Sequence, residues 1–135
     1  MSRYKTLSTK NDYYLPEHEY LTAVHYALQY PQWCKELRRA PDSSKAITYD
    51  KIRVQSSNEY DANAELAMRR YEIARKKEMV ERTAKEAGPE IYKWLLWGVT
   101  KGLTYWQLRQ RGIPCGKNMY YTCRQRFYFE LSKKI

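Results

Sequence analysis

The chain has 135 residues, 43% of them hydrophobic and 15% aromatic, and a formal net charge of +10. That length makes one domain, or one small domain with an arm, and buries a core without metals or disulfides. Five Gly and five Pro are too few for wholesale disorder.

The cysteines Cys34, Cys115 and Cys123 are an odd number with no CxxC spacing. His18 and His25 lie seven apart, and no acid or Cys completes a site, so no zinc pattern is present. Neither a metal nor a cofactor is expected. The N-terminus "MSRYKTLSTKNDYYLP" has no apolar h-region, and no stretch approaches the roughly 20 apolar residues of a membrane span. A cytoplasmic protein with reduced thiols follows, with no membrane partner. The charge is uneven: residues 89–135 carry nine Lys/Arg against two Asp/Glu, whereas the preceding 88 residues are nearly balanced. A basic excess gathered in the last third attracts a polyanion.

In chain order, residues 1–12 read as a polar, basic, flexible arm. In "YYLPEHEYLTAVHYALQYPQW", Pro16 suits the first helical position and Glu17 and Glu19 suit the positive end of the helix dipole. Tyr20, Val24, Ala27 and Leu28 recur at helical spacing. Pro31 interrupts this helix and "PQWCKELRRA" restarts as a second one, ended by Pro41. The two predict a helical hairpin with Trp33 and Leu37 turned inward. Residues 41–60 read as a long loop, with "AITYDKIRV" the one candidate strand or hairpin. "YDANAELAMRRYEIARKKEMVERTAKEAGP" predicts a long helix with Asp61 as N-cap, stopped by Gly88-Pro89. Leu66, Ile73, Val80 and Ala87 repeat every seven residues on it, beside Met79 and Ala84. This stripe suits packing inside the domain or, through residues 61–87, a homodimer seam. Residues 13–88 thus form a helical N-terminal region and residues 89–135 a second domain.

That second domain predicts three short helices. "EIYKWLLWGVTKG" and "LTYWQLRQRG" each end in Gly, a common C-terminal cap. Trp94, Leu95, Trp97 and Val99 read as core, with Trp106 and Leu108 turned inward. Residues 103–131 fit a helix-turn-helix. Thr104 and Gln107 form a capping box, Gly112 allows a left-handed turn, and Ile113 is an apolar plug. The last helix starts near Gly116 or Lys117, with Tyr120, Cys123, Phe127 and Leu131 inward. Its outward face, Lys117, Asn118, Tyr121, Thr122 and Gln125, offers donors and acceptors for base edges in a major groove. Lys101, Arg109, Arg111, Arg124, Arg126, Lys133 and Lys134 are the candidate phosphate contacts.

The order of elements, "ALQYPQWCKEL" and "AMRRYEIARKKEMVERT" resemble the RinA/ArpU type of phage transcription regulator, roughly from Tyr13 onward. In that family the C-terminal segment is similar to region four of a bacterial sigma factor, here "LTYWQLRQRGIPCGKNMYYTCRQRFYFELSKKI". The resemblance implies activation of late phage operons through promoter DNA and host RNA polymerase. It also puts Lys117, Asn118, Tyr121, Thr122 and Gln125 where such a helix reads bases. Pro114 and Gly116 stand where these helices often carry a Ser or Thr cap.

An alternative is a phage protein that uses the same fold to bind a host protein or ribonucleoprotein, for example as an inhibitor of a CRISPR effector. An enzyme is not expected. Asp42, Asp50, Glu59 and Asp61 lack nuclease-like spacing, no Gly-rich phosphate loop is present, and neither Cys115 nor Cys123 has a nearby His in sequence.

Overall fold

The computed structural model describes residues 10–39 and 56–135, with backbone alone for 56–61. Most of the expected arm, the candidate strand and most of the expected 41–60 loop lie outside those residues. The described chain is all-α, with no strand among these residues. In order come α1 (Glu17–Leu28), α2 (Tyr30–Arg38), α3 (Ser56–Ala87), a 3-10 turn (Pro89–Ile91), α4 (Tyr92–Lys101), α5 (Tyr105–Gln110) and α6 (Lys117–Lys134).

Two helix starts differ from expectation. Pro16 is the N-cap of α1 and not its first helical residue, so the helix starts one residue later than read; Pro16 has φ −55° and ψ 151°. The long helix α3 begins at Ser56, so residues 56–60 are helical and Asp61 lies inside the helix instead of capping it. Neither Gly nor Pro occurs from Ser56 to Ala87, so nothing in the sequence breaks the helix before its stop.

The chain divides into two compact units that do not follow chain order: residues 32–77, and residues up to Pro31 together with Glu78–Ile135. The end of α3 at Gly88-Pro89 therefore falls inside a unit.

In the 32–77 unit, Arg70 closes the end of α2. Its guanidinium donates to the carbonyls of Glu36 at 3.3 Å, Leu37 at 3.1 Å and Arg39 at 3.1 Å. These are terminal carbonyls that no helical N–H can reach. Trp33 and Ile73 are buried and Leu37 half-buried. Leu66, the first residue of the seven-residue repeat, is exposed, as are Met68 (64%) and Tyr71 (65%).

In the other unit, α1 packs against α6 and α4. Ala23, Val24 and Ala27 of α1, Val80, Ala84 and Ala87 of α3, and Ile91, Leu95 and Val99 form the core with Leu108, Phe127 and Leu131. Each larger side chain among them contributes about 2 kcal/mol by leaving water. The second half of the α3 stripe is thus used inside its own unit. The buried Thr83 donates to the Met79 carbonyl at 2.7 Å and accepts from Lys134 Nζ at 3.0 Å.

One close approach depends on the absence of a side chain. The buried Tyr120 hydroxyl of α6 sits against Gly98 of α4, only 2.0 Å from where a Cβ would be. No residue larger than glycine fits there without moving the tyrosine.

Candidate nucleic-acid interface

The segment read as a helix-turn-helix consists of α5, residues 111–116 and α6. Gly102, with φ 67°, ends α4 in a left-handed cap. Thr104 then opens α5 with both halves of a capping box. Its backbone N–H donates to Gln107 Oε1 at 2.8 Å, and the Gln107 N–H donates to Thr104 Oγ1 at 3.3 Å. Gly112, at φ 89°, supplies the left-handed residue of the turn, and Ile113 is buried just after it.

Two aromatic side chains fix the ends of this turn. Trp94 Nε1 donates to the Arg111 carbonyl at 3.1 Å, and the Tyr105 hydroxyl donates to the Cys115 carbonyl at 2.8 Å. Helix α6 starts at Lys117 with Gly116 as N-cap and no side-chain cap bond, as the sequence led one to expect.

Helical geometry divides α6. Lys117, Asn118, Tyr121, Thr122 and Gln125 fall within about 140° of arc, and Tyr120, Arg124, Phe127, Tyr128 and Leu131 within about 100° on an adjoining arc that overlaps the first at Lys117 and Tyr128. Lys117, Asn118 and Thr122 are exposed, while Tyr121 and Gln125 are half-buried. The Tyr121 ring leans edge-on against Tyr120 with centroids 5.1 Å apart. On the inward side Tyr120, Phe127 and Leu131 are buried as expected, but Cys123 is only half-buried. Tyr128 was not anticipated as core. It is buried and meets Tyr20 edge-on at 5.4 Å.

The candidate phosphate contacts separate into two groups. Lys101, Arg109, Arg111 and Arg126 are exposed and form no ion pair among the described residues. Arg124, Lys133 and Lys134 make contacts within their own unit. Arg124 is half-buried, its guanidinium 5.9 Å from the Tyr121 ring centre and 5.7 Å from that of Tyr128. Burial works against its charge, but the surrounding tyrosines Tyr128, Tyr120 and Tyr20 more than restore it. The angular position between Tyr120 and Tyr128 was the available signal for this. Lys134 bonds Glu86 at 3.0 Å as well as Thr83. Lys133 lies 4.2 Å from the Phe129 ring centre and 4.0 Å from the Glu130 carboxylate.

The tryptophans also depart from expectation. Leu95 and Val99 are buried, but Trp94 and Trp97 are only half-buried and Trp106 is 59% exposed. Helix α5 is six residues long, and Tyr105 and Leu108 occupy its inward face. Trp106 therefore turns out, edge-on to Tyr105 at 5.5 Å with Arg109 5.9 Å from its centre. Around Trp97 stand Lys93 at 4.9 Å, Arg111 at 5.2 Å and Lys101 at 5.9 Å from the ring centre. Nothing in the local sequence pattern marks Lys93 for this position.

Burial pushes the Cys115 and Cys123 thiols up from their ordinary value, which keeps both protonated near neutrality. Among the described residues no three His, Cys, Asp or Glu side chains gather into a metal-binding group, and no helix is long and apolar enough to cross a membrane. Set beside known protein families, curated proteins and solved structures, the chain matches none.

Proposed function

We propose that this chain is a sequence-specific DNA-binding transcription regulator, reading duplex DNA with the first two turns of α6 in a helix-turn-helix. One observation carries the reading. Lys117, Asn118 and Thr122 project into solvent from one stripe of α6, behind a capped α5 that ends in the exposed Arg109 and Arg111, neither in an ion pair among the described residues. Lys donates to guanine acceptors and Asn pairs with adenine, while the arginines set register on the backbone. With the RinA/ArpU resemblance, the reading extends to a phage or prophage activator of late genes that works with host RNA polymerase.

Selection of bound duplexes from a random pool, at two salt concentrations, tests this. An enriched motif with a steep salt dependence is the expected result; retention without enrichment overturns it.

The exposed Leu66, Met68 and Tyr71 support a second reading, in which the N-terminal half of α3 meets a protein. That protein is a host target or a second copy of the chain. Because Val80, Ala84 and Ala87 are already buried, a dimer seam along residues 61–87 would be confined to the earlier turns. Salt-tolerant binding to a host protein, without motif enrichment, is the outcome that selects the host-target form.

A further inference from the structure

We infer that Trp97 gathers Lys93, Lys101 and Arg111 into a second grip on duplex DNA, a phosphate clamp built on α4 and the end of α5, outside the reading helix; the duplex as ligand rests on the function proposed above. The three cations surround one half-buried indole at 4.9–5.9 Å from its centre. None of them forms an ion pair among the described residues.

Part of this cluster has an ordinary explanation. Lys101 lies in the last turn of α4 and Arg111 is the C-cap of α5, where positive charge complements the helix dipole. Lys93 has no such explanation. It sits in the first turn of α4, which contains no acid, so its charge opposes both the dipole and its two neighbours. The indole quadrupole attracts all three cations and limits their freedom without neutralising them. A backbone phosphate supplies the missing negative charge, and side chains already gathered lose less entropy on meeting it.

The test is binding of a short, mixed-sequence duplex by the full chain, followed by fluorescence anisotropy over a range of salt concentrations. Lys93→Gln leaves the core untouched because Lys93 is exposed. It is expected to lower the slope of log affinity against log salt by about one and to weaken binding about five- to tenfold at moderate salt. Lys76→Gln, an exposed lysine on α3, controls for net charge and should leave the slope unchanged. An unchanged slope for Lys93→Gln, or an equal fall for Lys76→Gln, overturns the clamp while leaving any motif from the random pool standing. A fall specific to Lys93→Gln without any enriched motif supports the clamp and overturns sequence reading. If the unsubstituted chain fails to bind duplex at low salt, both fall.

Discussion

Helices α4 and α6 each carry a cluster of aromatic rings and cations, and the two clusters have opposite fates. Around Arg124 of α6, Tyr120 and Tyr128 are buried and the guanidinium is drawn in among their rings and that of Tyr121. Around Trp97, the ring is half-buried and Lys93, Lys101 and Arg111 remain in solvent. The residue types are alike, and angular position decides. Arg124 falls on the side of α6 that faces the core, whereas Lys93, Trp97 and Lys101 follow one another every four residues along the open side of α4. The inward charge serves the fold, and the outward ones are available to a partner.

That contrast can be broken most strongly at Gly98. Gly98→Ala puts a methyl group where the Tyr120 hydroxyl sits and should destabilise the fold by about 3 kcal/mol. Urea unfolding would show it as a lower midpoint, partly recovered when Tyr120→Phe is added. Next in size, Arg124→Ala should cost about 2 kcal/mol by removing a charge-assisted partner of Tyr128. Arg109→Ala should leave the unfolding midpoint within experimental scatter and weaken DNA binding uniformly. If Arg124→Ala proves neutral for stability and lowers the salt slope, the inward assignment fails.

On the reading face, Asn118→Ala should lose about 1–2 kcal/mol of discrimination at one base position. Competition between the selected duplex and its single-base variants measures this, and unaltered discrimination would remove Asn118 from the readers.

The smallest effect sharpens the comparison from inside. By geometry the buried Tyr120 hydroxyl has no hydrogen-bond partner among the described residues, and Arg124 stands close enough to favour only its ionised form, so Tyr120→Phe should be neutral or stabilise by up to about 1 kcal/mol. Burial raises the Tyr120 pKa well above its ordinary value, with the Arg124 charge only partly opposing this. Unfolded tyrosine ionises near pH 10 while folded Tyr120 stays neutral, so the stability it contributes is complete below pH about 10 and declines above it. Tyr26 and Tyr92, also raised by burial, act in the same direction. Unfolding midpoints from pH 8 to about 11.5 should fall more steeply for the unsubstituted chain than for Tyr120→Phe; parallel curves would contradict the burial assigned to this hydroxyl.

Features set by neighbours in sequence were legible in advance. The Thr104–Gln107 box, the left-handed Gly102 and Gly112, the plug at Ile113 and the start of α6 all depend on a few adjacent residues. Features set by packing were less so. Trp106 suggested burial by its size, but a six-residue helix has room inside only for Tyr105 and Leu108. The seven-residue repeat on α3 gave its apolar stripe without showing that Leu66 stays exposed while Val80 is buried. Ser56 and Ser57 are as suited to a helix start as Asp61, and between Ser56 and Asp61 only Tyr60 is apolar, too little to show a helical period. The approach of Tyr120 to Gly98 joins residues 22 positions apart and left no local trace.

The 111–116 turn is held at one end by Trp94 and at the other by Tyr105, neither of which belongs to the exposed stripe of α6. The side chains of Lys117, Asn118 and Thr122, by contrast, make no hydrogen bond among the described residues. Scaffold and surface are therefore separable under mutation: the three outward positions can be exchanged without altering how the turn is held. A library randomised at those positions should stay folded almost throughout, and descendants of this chain can diversify there first.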